Sequence, residues 1–264
     1  MSGRFEVIFP LVMEWDDSFS ITFDSSAAER MIFSDGIYYL EGDNGSGKTT
    51  FMNLLALTTG RISKKTIAGR GTTRFNDTAY NGGGLDPVKA AEIREKYFCI
   101  YPQKAFFLPV STRDNYLILN GSDPEKARRF SNHQFPDLLS GGQQQKVLMD
   151  IVLDEKKPVW FLDEPLTNLD AERRLYFWKT LRQGYTRALQ TIFFSDHWIG
   201  DQIKQDAGFE LCNSLRVTMG NCQGGKQTEI ETKQIEIYAS HSPETFFDSQ
   251  IEKAEREGRC SSSP

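Results

Sequence analysis

The sequence predicts an α/β fold with a mostly parallel sheet, and three observations support this prediction. Residues 158–162 and 191–194 are apolar on both faces, which is typical of parallel strands covered by helices on each side. A helix expected over about 171–188 lies between them and supplies the crossover that parallel strands require. Apolar and polar residues alternate over 5–24, which instead predicts antiparallel strands in a separate β subdomain.

The remaining elements follow from local patterns. Residues 36–42 form a short apolar strand that runs into glycines, and a helix that is apolar nearly all round is expected from about Lys48 to Thr58. Residues 97–101 are typical of a buried strand, which Pro102 ends. The other predicted elements are a polar helix over 87–96, helices within 110–130 and 141–153, and strands within 208–221.

Composition excludes several classes of protein. The chain carries 31 basic and 36 acidic residues, so no overall positive field is available to hold nucleic acid, which is not expected as a partner. The cysteines form no close Cys-x-x-Cys pair and only three histidines accompany them, which favours a reduced cytosolic protein without a zinc site. Neither a secretion signal nor about 18 consecutive apolar residues occurs, so any membrane association is expected to use a partner. The cysteines are Cys99, Cys212, Cys222 and Cys260.

A glycine-rich loop lies between the strand predicted at 36–42 and the helix that follows. It matches G-x-x-x-x-G-K-[ST], and its residues are Gly42, Asp43, Asn44, Gly45, Ser46, Gly47, Lys48 and Thr49. Backbone N–H groups of such a loop wrap phosphates, and the helix N-terminus adds partial positive charge. We expect Lys48 to reach the β- and γ-phosphates, Thr49 to ligate Mg²⁺ and Thr50 to contact the α-phosphate. The loop therefore predicts a P-loop NTPase core.

Two acids, Asp163 and Glu164, follow the strand predicted over 158–162. Ligands of open α/β sheets bind outside the carboxyl ends of the strands, which is where these two side chains fall. We expect Asp163 to hold Mg²⁺ and Glu164 to polarise the attacking water as general base. The pair therefore predicts nucleotide hydrolysis.

The segment Leu139-Ser140-Gly141-Gly142-Gln143 narrows the class of hydrolase. Together with the phosphate loop and the carboxylate pair, in this order and spacing, it resembles the signature of the ATP-binding cassette (ABC) family. The resemblance runs from about residue 5 to residue 205. It implies that Ser140, Gly141, Gly142 and Gln143 contact the γ-phosphate bound to a second such domain. Each chain would then hold half of a catalytic site, and hydrolysis would need a dimer.

The same resemblance implies roles for three single residues. Gln103 matches the glutamine that contacts Mg²⁺ and the attacking water and senses the partner domain. Asp170 matches the loop that crosses the dimer interface, although on its own it would cap the helix that begins at Ala171. His197, just beyond the strand at 191–194, matches the switch histidine that contacts the γ-phosphate.

The resemblance also implies an aromatic residue that stacks on adenine. Trp15 is the candidate because it lies at the turn before the strand at 19–24, while Phe19 and Phe23 compete with it. A core role stays open for each of the three. The segment 25–36, which leads to the phosphate-loop strand, is longer than is usual in the family.

The helical part of the cassette is expected to be short. Only 36 residues separate Gln103 from Ser140, fewer than most transporter ATPases have. Because a transporter's membrane subunit usually docks beside this part, an unusual docking surface is implied. Lys146 stands where family members commonly carry arginine, so the charge is kept while a bidentate contact is lost.

The chain is therefore expected to form one ABC ATPase domain with a C-terminal extension. The expected parts are the domain at 1–205, its antiparallel β parts at about 1–35 and 60–96, its helical subdomain at about 104–150, the extension at 206–264 and a flexible tail at 254–264.

The expected function is that of the ATP-binding and ATP-hydrolysing subunit of an ABC transporter. With Mg²⁺, it would hydrolyse ATP to ADP and phosphate at two composite sites in a homodimer or heterodimer. It would drive a separate transmembrane permease from the cytoplasmic face of the membrane. The alternative is a soluble ATPase of the same superfamily that acts on DNA or ribosomes. The sequence contains neither the long coiled coil of the DNA-repair members nor the paired cassettes of the translation members, which favours transport.

Overall fold

The computed structural model describes residues 4–15, 19–58, 71–76, 78–80, 86–102, 106–119, 123–155, 157–167, 169–185, 191–197, 199–205, 208–223, 226–240 and 242–260. Its strands are β1 (Phe5–Ile8), β2 (Leu11–Trp15), β3 (Phe19–Ser25), β4 (Arg30–Phe33), β5 (Gly36–Glu41), β6 (Thr72–Phe75), β7 (Thr78–Tyr80), β8 (Phe98–Tyr101), β9 (Val159–Asp163), β10 (Thr191–Ser195), β11 (Glu210–Gln223) and β12 (Lys226–Ser240). Its helices are α1 (Lys48–Leu55), α2 (Pro87–Tyr97), α3 (Thr112–Leu119), α4 (Pro124–Ala127), α5 (Gly141–Val152), α6 (Ala171–Tyr185), α7 (Gly200–Gln205) and α8 (Pro243–Cys260). No helix within these ranges is long and apolar enough to cross a membrane.

The larger of the two sheets has eight strands in the order β2-β3-β11-β12-β5-β10-β9-β8. Its parallel pairs are β5 with β10, β10 with β9 and β9 with β8, and its other neighbours are antiparallel. The predicted α/β class is confirmed, and the parallel strands occupy one half of a mixed sheet. The hairpin β11-β12 lies between β3 and β5. The strand before the phosphate loop therefore pairs with a strand made late in the chain.

A second sheet, in the order β4-β1-β6-β7, is antiparallel throughout. It packs against the larger sheet through Phe5, whose ring lies 6.0 Å from that of Phe161 and 5.4 Å from that of Phe193. Strands β2 and β3 belong to the larger sheet, although the alternating pattern placed them in the separate β subdomain. The difference arises because alternation predicts antiparallel pairing but does not choose the partner strand.

The central parallel strands are covered on both faces, as their continuous apolar sequences predict. On one face Phe161 and Phe193 stack with ring centroids 5.0 Å apart. On the other face Phe194 packs edge-on against Trp178 of α6, with centroids 6.1 Å apart. Successive residues of each strand thus enter two separate cores.

Between β8 and α5, the described residues 106–119 and 123–140 are only partly helical. They contain α3, the single turn α4 and a 3₁₀ turn at Pro136–Leu138 before α5 begins. Their small core includes stacked rings of Tyr116 and Phe130, 4.9 Å between centroids. Asp154, which follows α5, accepts a hydrogen bond from Lys126 of α4 at 3.0 Å and links the two helices.

The flexible tail expected over 254–264 is wrong for residues 254–260, which complete α8; residues 261–264 lie outside the described ranges. Helix α8 packs on α6, where the Phe246 ring meets Trp178 at 5.5 Å. Ala254 is 1% exposed, and Glu257 forms an ion pair with Arg174 at 3.1 Å. The packing of residues 254–260 could not be predicted from their sequence, Ala-Glu-Arg-Glu-Gly-Arg-Cys. The contacts are made by one small residue and by ion pairs, and large apolar side chains are absent from this stretch.

Candidate functional site

The phosphate loop is a turn between β5 and α1 that needs glycine at two positions. Gly45 and Gly47 adopt φ angles of 71° and 97°, in the left-handed region that favours glycine. A Cβ atom on Gly47 would also lie 3.3 Å from the ring of Phe23 beneath the loop. Ser46 N–H donates to the Asp43 carbonyl at 3.0 Å and closes the turn. The turn ends at the N-terminus of α1, where Gly47 provides no side-chain cap, and the first N–H groups of a helix have no partner within the helix.

Lys48 lies inside this loop. Its ammonium donates hydrogen bonds to the carbonyls of Gly42 at 2.5 Å and Asp43 at 3.0 Å. The residue is 8% exposed, and this burial lowers the pKa of the amine. The negative charges of Glu164 and Asp163 raise the same pKa and offset part of the effect of burial. The loop therefore concentrates a buried positive charge where a phosphate would bind.

Asp163, at the carboxyl end of β9, is hydrogen-bonded to the first turn of α1 and to the end of β10. Its Oδ2 accepts a hydrogen bond from Thr49 Oγ1 at 2.7 Å, and its Oδ1 accepts one from Ser195 Oγ at 2.8 Å. The parallel register of β9 and β10 sets Ser195 directly beside Asp163. Burial raises the pKa of the Asp163 carboxyl, and the two hydroxyl donors oppose that rise. Thr49 and Asp163 present adjacent hard oxygen atoms, which fit Mg²⁺.

Glu164 and His197 form the neighbouring pair. The Glu164 backbone has a φ angle of 49°, which is uncommon for a residue other than glycine, and its N–H is held by the Ser195 carbonyl at 2.8 Å. His197 Nε2 lies 3.4 Å from Glu164 Oε1. The carboxylate side chain is 16% exposed and the imidazole 50% exposed. The pair therefore stands at the mouth of the site, open to water.

These groups share one cavity of about 400 Å³. Its lining residues are Ile21, Asn44, Gly45, Ser46, Gly47, Lys48, Thr49, Thr50, Glu164, His197 and Met219. One wall is polar and carries Glu164 and His197. The other is apolar and comes from Ile21 of β3 and Met219 of β11, which are paired across the sheet. The cavity thus offers a phosphate end and an apolar end.

The aromatic candidates for an adenine contact are placed differently. Phe23 is fully buried and packs on Phe51 at 5.4 Å between ring centroids, so it belongs to the core. Trp15 pairs through its backbone with Phe19 at the end of the β2-β3 hairpin, and its side chain lies outside the described part of the structure. The stacking role of Trp15 stays a prediction.

The first loop residues, Gly42 and Asp43, line a second cavity of about 350 Å³ together with Asp196. Asp196 is 3% exposed, its Oδ2 accepts the Leu166 N–H at 2.9 Å, and its carbonyl accepts the Tyr39 hydroxyl at 2.7 Å. Sequence patterns missed Asp196 and Ser195. The feature of the sequence that could have identified them is their position: both come directly after a predicted buried strand, as Asp163 and Glu164 do.

The signature segment begins α5. Ser140 and Gln143 form a reciprocal cap, in which Ser140 N–H donates to Gln143 Oε1 at 3.0 Å and Gln143 N–H donates to Ser140 Oγ at 3.4 Å. Ser140, Gly141 and Gln143 are exposed. A Cβ atom on Gly142 would meet Arg173 Nη1 at 2.7 Å, so the guanidinium of Arg173 on α6 lies against the segment. None of the residues 140–143 lines the phosphate cavity of its own chain.

Asp170, a further predicted site residue, is not among those that line that cavity. Asp170 Oδ1 accepts the Arg173 N–H at 2.9 Å, which confirms the capping role; its side chain is 58% exposed. Gln103 lies outside the described residues, so its contact with a metal or water stays a prediction. Lys146 is exposed on α5.

Comparisons with known proteins agree with these features. The family model described as "ABC transporter" matches residues 30–167, just over half of the chain. The translation initiation factor RLI1 of Chaetomium thermophilum is 28% identical over 168 residues, which cover 62% of this chain and 25% of that protein. The sulfate/thiosulfate import ATP-binding protein CysA of Vibrio cholerae is 25% identical over 262 residues, covering 93% of this chain and 59% of that protein. The chain thus spans a quarter of one relative and little more than half of the other.

A solved structure resembles the fold as well. The post-hydrolysis dimer of an ATP-binding cassette, bound to ADP and Pi, matches with a TM-score of 0.57 at 18% identity, over 86% of this chain and 97% of that chain. The family match includes the phosphate loop, the signature and the carboxylate pair, while His197 follows it. The chain therefore belongs to the ABC transporter family of ATP-binding domains.

Proposed function

We propose that this chain is the ATP-binding and ATP-hydrolysing subunit of an ABC transporter and that it works at two composite sites in a dimer. The observation that supports this most is the meeting of Lys48, Glu164 and His197 at one cavity, beside the hydrogen-bonded pair of Thr49 and Asp163. A phosphate-binding turn alone would serve many nucleotide-binding proteins. The added carboxylate and imidazole favour hydrolysis.

The chemistry follows from the charges at this cavity. Lys48 and the N–H groups at the start of α1 hold the negative phosphates. A water oxygen attacks the γ-phosphorus, the bond from that phosphorus to the ADP oxygen breaks, and the water's proton passes to Glu164. His197, whose Nε2 lies 3.4 Å from Glu164 Oε1, stands beside that carboxylate and contacts the γ-phosphate. The left-handed backbone at residue 164 fixes its direction, since the Glu164 N–H is bonded to the end of β10.

Mg²⁺, when bound with the nucleotide, neutralises charge that develops on the phosphates. Thr49 and Asp163 are the residues that would hold it, through one hydroxyl and one carboxylate. Protein sites for Mg²⁺ commonly supply one or two such oxygen atoms and leave the other positions to phosphates and water. The Thr49–Asp163 bond of 2.7 Å brings the two oxygens to the same point.

The arrangement of the signature segment supports a composite site. Ser140, Gly141 and Gln143 are exposed at the N-terminus of α5 and are absent from the cavity of their own chain. The start of a helix attracts anions, because the aligned peptide dipoles give it partial positive charge. We infer that a second chain presents this segment to the γ-phosphate, so closing of the dimer completes the site.

ATP hydrolysis by this chain drives a partner protein, and a membrane permease is the partner that fits best. The segment before α5 carries several exposed apolar side chains: Phe106 is 72% exposed, Ile118 57% and Leu138 77%. Such side chains mark protein contacts better than nucleic-acid contacts, which need clustered basic residues. The relative named as an import ATP-binding protein aligns with 93% of this chain. The relative named as a translation initiation factor aligns with 62%, which keeps a ribosomal role as the second candidate.

Replacement of the general base tests hydrolysis and dimer formation together. In Glu164→Gln, phosphate release should fall by about a hundredfold or more, because proton acceptance is lost while binding remains. Light scattering with saturating ATP and Mg²⁺ should then show a stable dimer. The control is Glu252→Gln, an exposed residue on α8 paired with Arg256. A Glu164→Gln protein that stays monomeric under these conditions would contradict the composite site.

Affinity capture from detergent-solubilised membranes tests the partner. Recovery of a polytopic membrane protein supports transport, whereas recovery of ribosomes supports the second candidate. Ile118→Glu should weaken the recovery without lowering basal hydrolysis, because it places a charge on the exposed apolar segment. Val88→Glu, on α2 and 63% exposed, is the matched control on another surface.

A further inference from the structure

Strand β12 extends beyond its pairing with β5 and runs beside the phosphate loop. The pairing ends where Glu236 stands opposite Glu41, the last residue of β5. Three residues earlier in the chain, Lys233 donates a hydrogen bond from Nζ to the Asn44 carbonyl at 3.2 Å. Lys233 lies outside the stretch 30–167 that the family model matches, whereas Asn44 lies within it. None of the motifs in the sequence pointed to it.

Two loop glycines leave the space that β12 occupies. A Cβ atom on Gly42 would lie 2.6 Å from the backbone carbonyl of Gln234. A Cβ atom on Gly45 would lie 3.3 Å from Lys233 Nζ. The glycines of the loop thus permit both the turn itself and the close approach of β12.

Lys233 is held firmly enough to act on the loop. Its residue pairs across the ladder with Val217 of β11, and its side chain is 25% exposed. Glu231 Oε1 lies 3.1 Å from the same Nζ and forms an ion pair with the ammonium. Lys233 is not among the described residues that line the phosphate cavity, so it reaches the loop from outside.

We propose that Lys233 is a positioning residue for the phosphate loop. Its ammonium fixes the Asn44–Gly45 peptide by binding the Asn44 carbonyl. A cation on that carbonyl also polarises the peptide, which makes the Gly45 N–H a stronger donor to an anion inside the loop. Hydrogen bonds that share a peptide strengthen one another in this way.

The consequence for a ligand rests on the proposed function and is specific. Because Lys233 acts on the loop and not on the reacting atoms, it should strengthen the binding of nucleoside diphosphate and triphosphate alike. The rate at saturating nucleotide should not depend on it. A catalytic role would instead lower kcat and distinguish ATP from ADP.

Two substitutions of Lys233 and one control test this role. Lys233→Met keeps the length of the side chain and removes the charge, and Lys233→Arg keeps the charge. Lys253→Met, on α8 with Nζ 3.8 Å from Glu257, is the control for loss of a lysine elsewhere. Hydrogen–deuterium exchange of the nucleotide-free protein measures order in the peptide that covers residues 42–47. Fluorescent ADP and ATP analogues measure affinity, and phosphate release measures kcat.

We expect Lys233→Met to speed exchange over residues 42–47 and to weaken both nucleotides by about threefold to tenfold, the effect of one exposed charge-assisted hydrogen bond. The value of kcat should stay as in the wild type, and Lys233→Arg should restore affinity and protection. Unchanged exchange over 42–47 in Lys233→Met overturns the proposal, as does an equal effect of Lys253→Met. If the wild-type protein binds neither nucleotide, the proposed function fails, while the exchange measurement still decides the role of Lys233.

Discussion

Removal of the Ser195 hydroxyl should weaken both the fold and the metal site. Ser195 is fully buried and Asp163 is 8% exposed, and a hydrogen bond of 2.8 Å joins Ser195 Oγ to the carboxylate. Hydrogen bonds to charged groups contribute about 1.5–3 kcal/mol, so Ser195→Ala should lower the free energy of unfolding by about that amount. Thr49 still donates to the other oxygen, which limits the loss to one bond.

The effect on function follows from the pKa of Asp163. The Ser195 hydrogen bond opposes the rise in that pKa caused by burial, so its removal raises the pKa further. A proton then competes more strongly with Mg²⁺ for the carboxylate. The Mg²⁺ concentration that gives half-maximal phosphate release should rise in Ser195→Ala, and the increase should be larger at acidic pH.

A matched variant separates this effect from a simple loss of packing. Ser240, also buried in the large sheet, accepts the Ser242 N–H at 3.3 Å and is remote in the chain from the carboxylate pair. Urea unfolding gives the stability of both variants, and Mg²⁺ titrations of phosphate release give the metal requirement. Ser240→Ala should leave the Mg²⁺ requirement unchanged. The reasoning is refuted if Ser195→Ala loses stability yet keeps the wild-type Mg²⁺ requirement at every pH.

Two further changes test charge burial and the corrected C-terminal helix. Because burial raises the pKa of Asp163, the folded chain binds its proton more tightly than the unfolded chain, and stability falls as pH rises from about 3.9 through the folded value. Asp163→Asn should therefore be more stable than the wild type at neutral pH in thermal unfolding without nucleotide; an equal gain near pH 4 would show another cause. Gly258→Ala adds a methyl group with no atom within 4 Å inside α8 and should raise the unfolding free energy by about 0.5–1 kcal/mol. A loss of stability in urea would mean that the helix ends earlier.

The sequence predicts those parts of the fold whose signal is local. The strands containing Phe161 and Phe193 are apolar on both faces, and this alone identifies them as covered parallel strands. The pairing of β2 and β3 with the larger sheet was not predictable, because a strand's partner depends on chain segments far away. The end of α8 was also missed. Its fit depends on Ala254 and on ion pairs with α6, which have no periodic apolar signal.

The candidate site also has a part that local sequence motifs predict and a part that depends on distant segments of the chain. Lys48, Thr49, Asp163 and Glu164 belong to short motifs whose chemistry requires those residues at fixed spacing. The apolar wall from Ile21 and Met219, by contrast, arises from strands that are adjacent only in the sheet. Lys233 reaches the loop for the same reason. Contacts made through sheet register leave no motif, since any residue of suitable size or charge can make them.

The position of β5 between β10 and β12 also affects how the chain folds during synthesis. This strand appears early, yet both of its neighbours are absent until residues 191–195 and 226–240 have been made. Until then its two edges are unpaired and side chains such as Tyr38 and Leu40 lack their final cover, which is a known route to aggregation. Pairings between such distant segments form slowly, since a long loop must close first. The phosphate loop can therefore take its final shape only after residues 226–240 have left the ribosome, and nucleotide binding would report the completion of the larger sheet.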